Sequence, residues 1–519
     1  MNVLRSYVGG AWVVGQGELE TLVNPATEEP LAQAGSGGID RSAALEFARA
    51  KGGAALRALT FAERGALLKG VCDQIQAHRE ELIDLAVANG GNTRSDAKFD
   101  IDGATFTLST YAEIGKGLGN LKVLADGEGV TLGRMARFHG QHILTPRHGV
   151  AIHINAFNFP AWGMAEKAAT ALLAGMPVLS KPATSSAIVS HRIMELLVEK
   201  AVLPEGALSL LVGGVGDLLD HVGAQDVIAF TGSGATGEKI RSRTSVIARS
   251  VRVNVEADSL NAAILGPDGE AGSEIYDYFM KDVLRDMTQK AGQKCTAIRR
   301  VLVPAAVADR LRDDLSDRLK AVVVGNPAHE SVRMGPLATK QQQEDVTDGI
   351  AALARDGRLV HGSAQVEAVG VPDGKGFFVG PVLIEVEPGA AAPTVHSREV
   401  FGPVATVVPY DGSASAAAEI VGRGQGGLVS SVYSEDAAFA GELTLGLAPF
   451  HGRVFLGSAK IAEQSPGPGT VLPTLVHGGP GRAGGGEELG GLRGLSFYMQ
   501  RTALEGSRPV IDRIVKPPS

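Results

Sequence analysis

At 519 residues with a 44% hydrophobic fraction, the chain has apolar material for two or three domains and is too long for one small core. Its formal net charge of -8 offers no basic stripe for nucleic acid, and the scattered Arg241, Arg243, Arg249 and Arg252 read as a solvated helix face. Two cysteines far apart in sequence cannot build a disulfide framework, so the chain reads as a cytoplasmic protein of a reducing compartment.

Met1 to Trp12 holds no apolar stretch of secretory length. Cys72 falls among Leu67, Leu68, Val71 and Ile75, the apolar side of a helix predicted to run towards Glu81, where a small sulfur packs as a hydrophobe. Val130 to Pro146 is strand-like with turns. His139, His142 and the nearby His148 lack carboxylate or cysteine partners at ligand spacing, so a turn surface and no metal site is expected there.

From Gly149 short β-like runs alternate with helical patterns: Val150 to Ile154, a helix through Lys167 to Leu173, Pro177 to Ser180, a helix near Ile188 to Lys200, Leu208 to Val212, then Val227 to Phe230. A largely parallel sheet with crossover helices is the economical arrangement. The most apolar stretch, Val150 to Leu179, is interrupted by His153, Asn155, Asn158, Glu166 and Lys167, which would be costly in hydrocarbon, so no membrane span is expected. A second α/β segment begins near Glu256. Its helix repeats apolar residues at Ile275, Phe279, Val283, Met287 and Ala291 and should deliver Cys295 just beyond its end. Strands follow at Arg300 to Val303, Gly380 to Ile384 and Val404 to Val408, and by composition the glycine-rich Pro466 to Arg493 resembles a linker.

The chemistry centres on Cys295 in Gly292-Gln293-Lys294-Cys295-Thr296 and Glu256 in Asn254-Val255-Glu256-Ala257-Asp258. A free thiol of pKa about 8.5 is mostly protonated at neutral pH, so a working nucleophile needs a base, a helix terminus or a cation; Glu256 and Lys294 are the candidates. Gly232-Ser233-Gly234-Ala235-Thr236-Gly237 literally satisfies G-x-G-x-x-G and Glu256 lies at the spacing of a ribose-binding acid. Several strands precede this loop, however, whereas that fingerprint belongs in the first βα turn of its unit.

Phe157-Asn158-Phe159-Pro160, Lys181-Pro182-Ala183, Phe230-Thr231-Gly232-Ser233, the cysteine segment, Glu399-Val400-Phe401-Gly402-Pro403 and Glu488-Leu489-Gly490 occur in this order. Together they resemble the aldehyde dehydrogenase superfamily, from Val23-Asn24-Pro25-Ala26-Thr27 nearly to the end. The resemblance implies an α/β fold with two Rossmann-like domains and a β oligomerisation arm: a dinucleotide-binding domain over 1–129 and 149–255, a catalytic domain over 256–460, and an arm with C-terminal segment over 130–148 and 461–519. It implies that Val130 to Pro146 is the arm, that Pro466 to Arg493 leads back to it instead of serving as a linker, and that at least a homodimer forms in which one subunit adds strands to another's sheet.

For the site, it implies that the Cys295 thiolate attacks an aldehyde, that the Asn158 amide stabilises the oxyanion, and that Glu256 activates the hydrolytic water. Lys167 and Glu488 match proton-relay positions, although Glu487 stands where the family usually has arginine, so the acid is either Glu487 or Glu488. Gly232 and Ser233 with the following amides would engage a pyrophosphate, while Glu399 and Phe401 match the nicotinamide-ribose clamp. Lys181 matches the adenosine-ribose lysine. Thr184 replaces a glutamate common in NAD-using members, which removes a repulsion towards a 2′-phosphate and favours NADP over NAD.

Glu256-Ala257-Asp258-Ser259-Leu260 departs from the usual Glu-Leu-Gly-Gly-Lys, placing Asp258 and Ser259 where glycines leave space near the nicotinamide. Retention of the glutamate favours acid-forming oxidation over a CoA-acylating reaction. This segment and His477 to Glu488 resemble the branch that oxidises CoA-linked semialdehydes from ring-opened aromatic acids. A phenylacetate-pathway CoA semialdehyde dehydrogenase, a general aldehyde dehydrogenase, a non-redox thiol hydrolase and a cofactor-binding scaffold are the alternatives.

Overall fold

The computed structural model describes residues 1–515, and the final four residues of the C-terminal segment 461–519 lie outside the described residues. Two seven-stranded sheets dominate. The first runs in the order Arg252–Glu256, Val227–Thr231, Ala151–Ile154, Val178–Lys181, Leu208–Leu210, Ser6–Val8, Ala11–Val13. Its first five strands are parallel, and the N-terminal hairpin completes it in antiparallel fashion. The second runs Arg358–His361, Val382–Glu385, Val404–Tyr410, Arg300–Pro304, Ala262–Leu265, Gly427–Tyr433, His451–Gly457. Only its first pair is antiparallel. Strands such as Ala262–Leu265 and Val404–Tyr410 are buried along their whole length, as expected for sheets covered on both faces.

Leu124–Thr131, Phe138–Pro146 and Met499–Ser507 form a separate antiparallel three-stranded sheet. His139 and His142 therefore belong to a strand of this sheet and not to the turn expected from sequence. The glycine-rich Pro466 to Arg493 is structured: Val476–Gly479 and Gly486–Leu489 make a hairpin, followed by the helix Leu492–Tyr498 that leads into Met499–Ser507. Arg252 lies half-buried on a strand and not on a solvated helix face, and its guanidinium donates to the carbonyls of Ser496, Phe497 and Met499, tying the first sheet to the root of the three-stranded one.

Local chemistry sets the helix ends. Thr60 and Glu63 form a reciprocal capping box at the start of Phe61–Ala77. That helix stops short of the expected Glu81 because His78 leaves helical geometry (φ -113°, ψ 22°), and a new helix, Arg79–Gly90, begins. Cys72 lies on the buried face of Phe61–Ala77. The helix Trp162–Leu173 has no cap of its own; the buried Asp100 carboxylate, on the helix Arg94–Leu118, accepts from the Ala161 and Trp162 amides at 3.2 and 2.8 Å. Asp100→Ala leaves both donors buried and unpaired, so the thermal-unfolding midpoint should fall by an amount corresponding to about 1–3 kcal/mol.

Candidate functional site

The site lies between the carboxyl ends of the first sheet and the amino ends of the second. Asn158 follows strand Ala151–Ile154, Lys181 ends Val178–Lys181, Gly232 and Ser233 follow Val227–Thr231, and Glu256 ends Arg252–Glu256. Carboxyl ends of parallel strands are the usual ligand edge of such sheets, because side chains and helix amides converge there.

The cysteine loop is built differently from the sequence expectation. Ser273 caps the helix Glu274–Thr288, whose Ile275, Phe279, Val283 and Met287 are buried, but Ala291 does not continue it. Lys290 and Ala291 adopt left-handed backbone (φ 54° and 52°), and Gly292 follows at φ 69°. A side chain at Gly292 would sit 2.1 Å from the Gly402 carbonyl oxygen, so glycine there lets the cysteine loop close onto the Glu399-to-Pro403 segment. Asn261 fixes the far side, donating from Nδ2 to the Cys295 and Ala297 carbonyls at 2.8 Å each while its Oδ1 accepts from the Val429 amide. Lys294 does not face the thiol. Its Nζ donates to Asp286 at 2.7 Å and Gln289 at 2.8 Å, so it braces the loop.

Two cavities meet at Cys295. One, lined by Phe99, Phe159, Trp162, Val471 and His477, is largely apolar and suits an organic chain. The other, about 560 Å³, is bordered by Phe157, Ser233, Asp258, Glu399 and Phe401. Asn158, Thr231, Glu256 and Cys295 line both. Asn158 Nδ2 donates to the Gln293 carbonyl at 2.9 Å, which uses one of its two N–H bonds.

Glu256 is buried, and its Oε1 lies 3.1 Å from Nε2 of His477, which in turn is 3.9 Å from Cys295 Sγ. Burial alone would raise the Glu256 carboxyl, but the charges of His477 and Lys167 outweigh it and pull it down to about 2. For Cys295, burial and the adjacent Glu256 both push the thiol well above its ordinary value. Behind Glu256, Lys167 Nζ lies 3.1 Å from both Glu166 Oε1 and Glu488 Oε2. Oxygens of Glu166, Glu256 and Glu488 gather within 4.8 Å of one another, and burial pushes the Glu166 carboxyl above its ordinary value. Of the two adjacent acids it is Glu488 whose side chain turns in, with Asn254 Nδ2 donating to its Oε1 at 3.0 Å; Glu487 engages Asn254 through its backbone amide.

The larger cavity has features that fit a dinucleotide. Ser233 caps the helix Gly234–Arg241, and Glu399 Oε1 is buried without a hydrogen-bond partner at the cavity edge. Burial raises the Glu399 carboxyl to about 7 against the pull of Arg299. Phe401 packs edge-on against Phe157. Of the two residues expected from sequence to crowd this cavity, Asp258 lines it and accepts from the Gly234 amide at 3.0 Å. Ser259 is wholly buried, and its hydroxyl accepts from the Leu428 amide at 2.8 Å, so it joins the cysteine side to strand Gly427–Tyr433. Ala183 lines the cavity, whereas Lys181 and Thr184 do not line it. His477 and Glu166 have no counterpart in the roles read from sequence. Glu166 was legible only as the neighbour of Lys167, and the pairing of His477 with Glu256 joins distant parts of the chain.

Residues 12–503 match the aldehyde dehydrogenase family. The chain is 50% identical over 478 residues to the 3,4-dehydroadipyl-CoA semialdehyde dehydrogenase of Aromatoleum evansii, covering 92% of this chain and 93% of that protein. It is 29% identical to the alpha-ketoglutaric semialdehyde dehydrogenase of Bacillus subtilis (strain 168), over 90% of this chain and 92% of that one. Among solved structures, a lactaldehyde dehydrogenase superposes with a TM-score of 0.84 at 24% identity, over 98% of this chain and all of that chain. The NAD+ complex of an aldehyde dehydrogenase from Bacillus cereus superposes at 0.82 and 23% identity, over 98% and 97% of the two chains. The α/β architecture is that of these enzymes, and the chain belongs to the aldehyde dehydrogenase family.

Proposed function

We propose that this aldehyde dehydrogenase oxidises a CoA-linked semialdehyde, 3,4-dehydroadipyl-CoA semialdehyde, to the carboxylic acid in the aerobic breakdown of benzoate, with NADP as cofactor. The meeting of Cys295, Glu256 and Asn158 where an apolar cavity joins a dinucleotide-sized one carries the reaction class. The substrate rests on the 50% identity with the Aromatoleum evansii enzyme.

Cys295 Sγ attacks the aldehyde carbon, and the carbonyl electrons move to oxygen. The free N–H of Asn158 and the Cys295 amide stabilise that oxyanion. Glu256 accepts the proton of the water that hydrolyses the acyl thioester, and Lys167, Glu166 and Glu488 carry it onward. Glu399 would take the ribose hydroxyls of the cofactor, Phe401 would border its ring, and Gly232 and Ser233 would receive its phosphates. The nicotinamide, when bound, supplies the hydride acceptor. Asn158→Ala should lower kcat about 10²- to 10³-fold with little change in cofactor KM, as measured by initial rates, because the lost donor acts on a charge that exists only during reaction.

NADP use rests on Thr184 and Lys181. Thr184→Glu would place a carboxylate near the 2′-phosphate at a cost of order 1–3 kcal/mol, so KM for NADP should rise about ten- to a hundred-fold while that for NAD holds or falls. Unchanged NADP kinetics would remove this basis for the preference. A homodimer formed through the three-stranded sheet is part of the same reading: Val130, Leu132, Met135 and Phe138 are exposed on or beside it, and His451–Gly457 is the outermost strand of the second sheet among the described residues. The deciding experiment compares NADPH formation from the CoA semialdehyde with that from free short-chain aldehydes. A kcat/KM advantage of at least about ten-fold for the CoA substrate, or about 1.4 kcal/mol, is expected; equal values would indicate a general aldehyde dehydrogenase, and no NADPH from any of them a non-redox protein.

A further inference from the structure

The inference rests on the reading of Cys295 as the nucleophile, which creates an electrostatic difficulty. The thiol must ionise in a buried site beside a carboxylate, where both burial and the Glu256 charge oppose a second anion. A cation touching the sulfur would relieve this. Lys294 is bound to Asp286 and Gln289, and Lys167 sits between Glu166 and Glu488. Arg299 donates to the Gly402 and Lys294 carbonyls, and Arg453 to those of Thr470 and Pro468. His477 is different: its Nε2 lies 3.9 Å from Cys295 Sγ and 3.1 Å from Glu256 Oε1, with the residue only 3% exposed.

We propose that His477, as an imidazolium, is the group that holds Cys295 as a thiolate beside Glu256, so that sulfur, imidazole and carboxylate work as one array. The S–H bond of Cys295 breaks, its electron pair stays on sulfur, and the proton passes to Nε2 of the neutral ring, whose other proton is then on Nδ1, a nitrogen that is buried without a hydrogen-bond partner among the described residues. The thiolate and carboxylate then share the Nε2–H of one cation. Thioester hydrolysis returns the sulfur as the leaving thiolate, which restores the array.

The surroundings favour the charged ring. Glu256 faces it from strand Arg252–Glu256, Glu166 and Lys167 from helix Trp162–Leu173, Glu488 from the paired strand of its own hairpin, and Arg453 from strand His451–Gly457. Burial disfavours the imidazolium, but the Glu256 and Glu166 charges outweigh burial and Arg453, leaving His477 above its ordinary value. His477 also opens the glycine-rich hairpin, whose Gly478 needs a left-handed backbone (φ 140°) and would place a side chain 2.1 Å from the Gly486 carbonyl oxygen. That close strand pairing fixes where the imidazole points.

The test is the pH profile of Cys295 alkylation by iodoacetamide in the protein without cofactor, with peptide mass spectrometry separating Cys295 from Cys72. Wild-type reactivity should reach its plateau below the ordinary thiol value of about 8.5. His477→Gln keeps a polar partner for Glu256 but cannot carry charge; its alkylation rate at neutral pH should fall at least about ten-fold and its inflection should rise by about one pH unit or more. An unchanged profile in His477→Gln overturns the proposal. If that variant does not fold, the wild-type profile decides alone, since an inflection at or above the ordinary thiol value overturns it equally. Cys295→Ala separates the two readings: if it abolishes oxidation while His477→Gln alkylates like wild type, the nucleophile stands and the array falls.

Discussion

Replacing Cys295 by alanine is expected to lower kcat/KM for aldehyde oxidation by about 10⁴-fold or more, while the cofactor Kd measured by titration calorimetry stays close to that of the wild type. The effect is expected to be large because, in the proposed mechanism, the sulfur forms and breaks the bond to the acyl carbon, and the remaining donors have no adduct to stabilise without it. Cys295→Ser should be nearly as inactive, because a hydroxyl beside Glu256 in a buried cavity ionises far less readily than a thiol. Cys72→Ala is the control. Cys72 is buried in helix Phe61–Ala77 with its Sγ 3.4 Å from the Thr105 carbonyl oxygen, so its loss should leave turnover unchanged and affect only the unfolding midpoint. Oxidation persisting in Cys295→Ala at more than about a hundredth of the wild-type rate would remove the covalent mechanism.

The parts of this protein that sequence made legible are those in which chemistry and local pattern coincide. Alternation of apolar runs with helical periodicity marks the parallel strands from Ala151 to Thr231, because buried parallel strands are hydrophobic along their length. Motif order identified the segments carrying Asn158, Glu256 and Cys295. Three things were hidden. The helix before Cys295 keeps its apolar spacing through Ala291, yet the chain turns left-handed at Lys290, and periodicity does not register a change in the sign of φ. Composition makes Pro466 to Arg493 resemble a linker, whereas its glycines permit a tight hairpin against the site. Lys294 adjoins Cys295 in sequence but points to Asp286, and His477, remote in sequence, supplies the contact. Adjacency along the chain was thus a poor guide to charge at the sulfur, since the loop geometry that decides it depends on Gly402 and Asn261 from other segments.

Glu256→Gln should separate the two halves of the reaction. Rapid mixing is expected to show a burst of NADPH close to the wild-type amplitude, followed by steady turnover slowed about 10²- to 10⁴-fold, the range for loss of a general base. The burst should persist because two effects on Cys295 oppose each other. Removing the carboxylate charge eases formation of a neighbouring thiolate, while it also weakens the hold of His477 on its proton. Hydrolysis has no such compensation. A neutral amide does not accept the water's proton, and Lys167, with Glu166 and Glu488 behind it, then has no proton to carry onward. The acyl group accumulates on Cys295 and should be visible as an adduct on that peptide by mass spectrometry. Glu256 is held well below the usual carboxylate range, so its carboxylate is available throughout the working range, and Glu166, Glu399 and His477, all raised from their ordinary values, are the groups expected to shape wild-type turnover between about pH 6 and 8. Equal loss of burst and steady rate in Glu256→Gln would instead place the carboxylate in thiol activation, with hydrolysis assigned to another group.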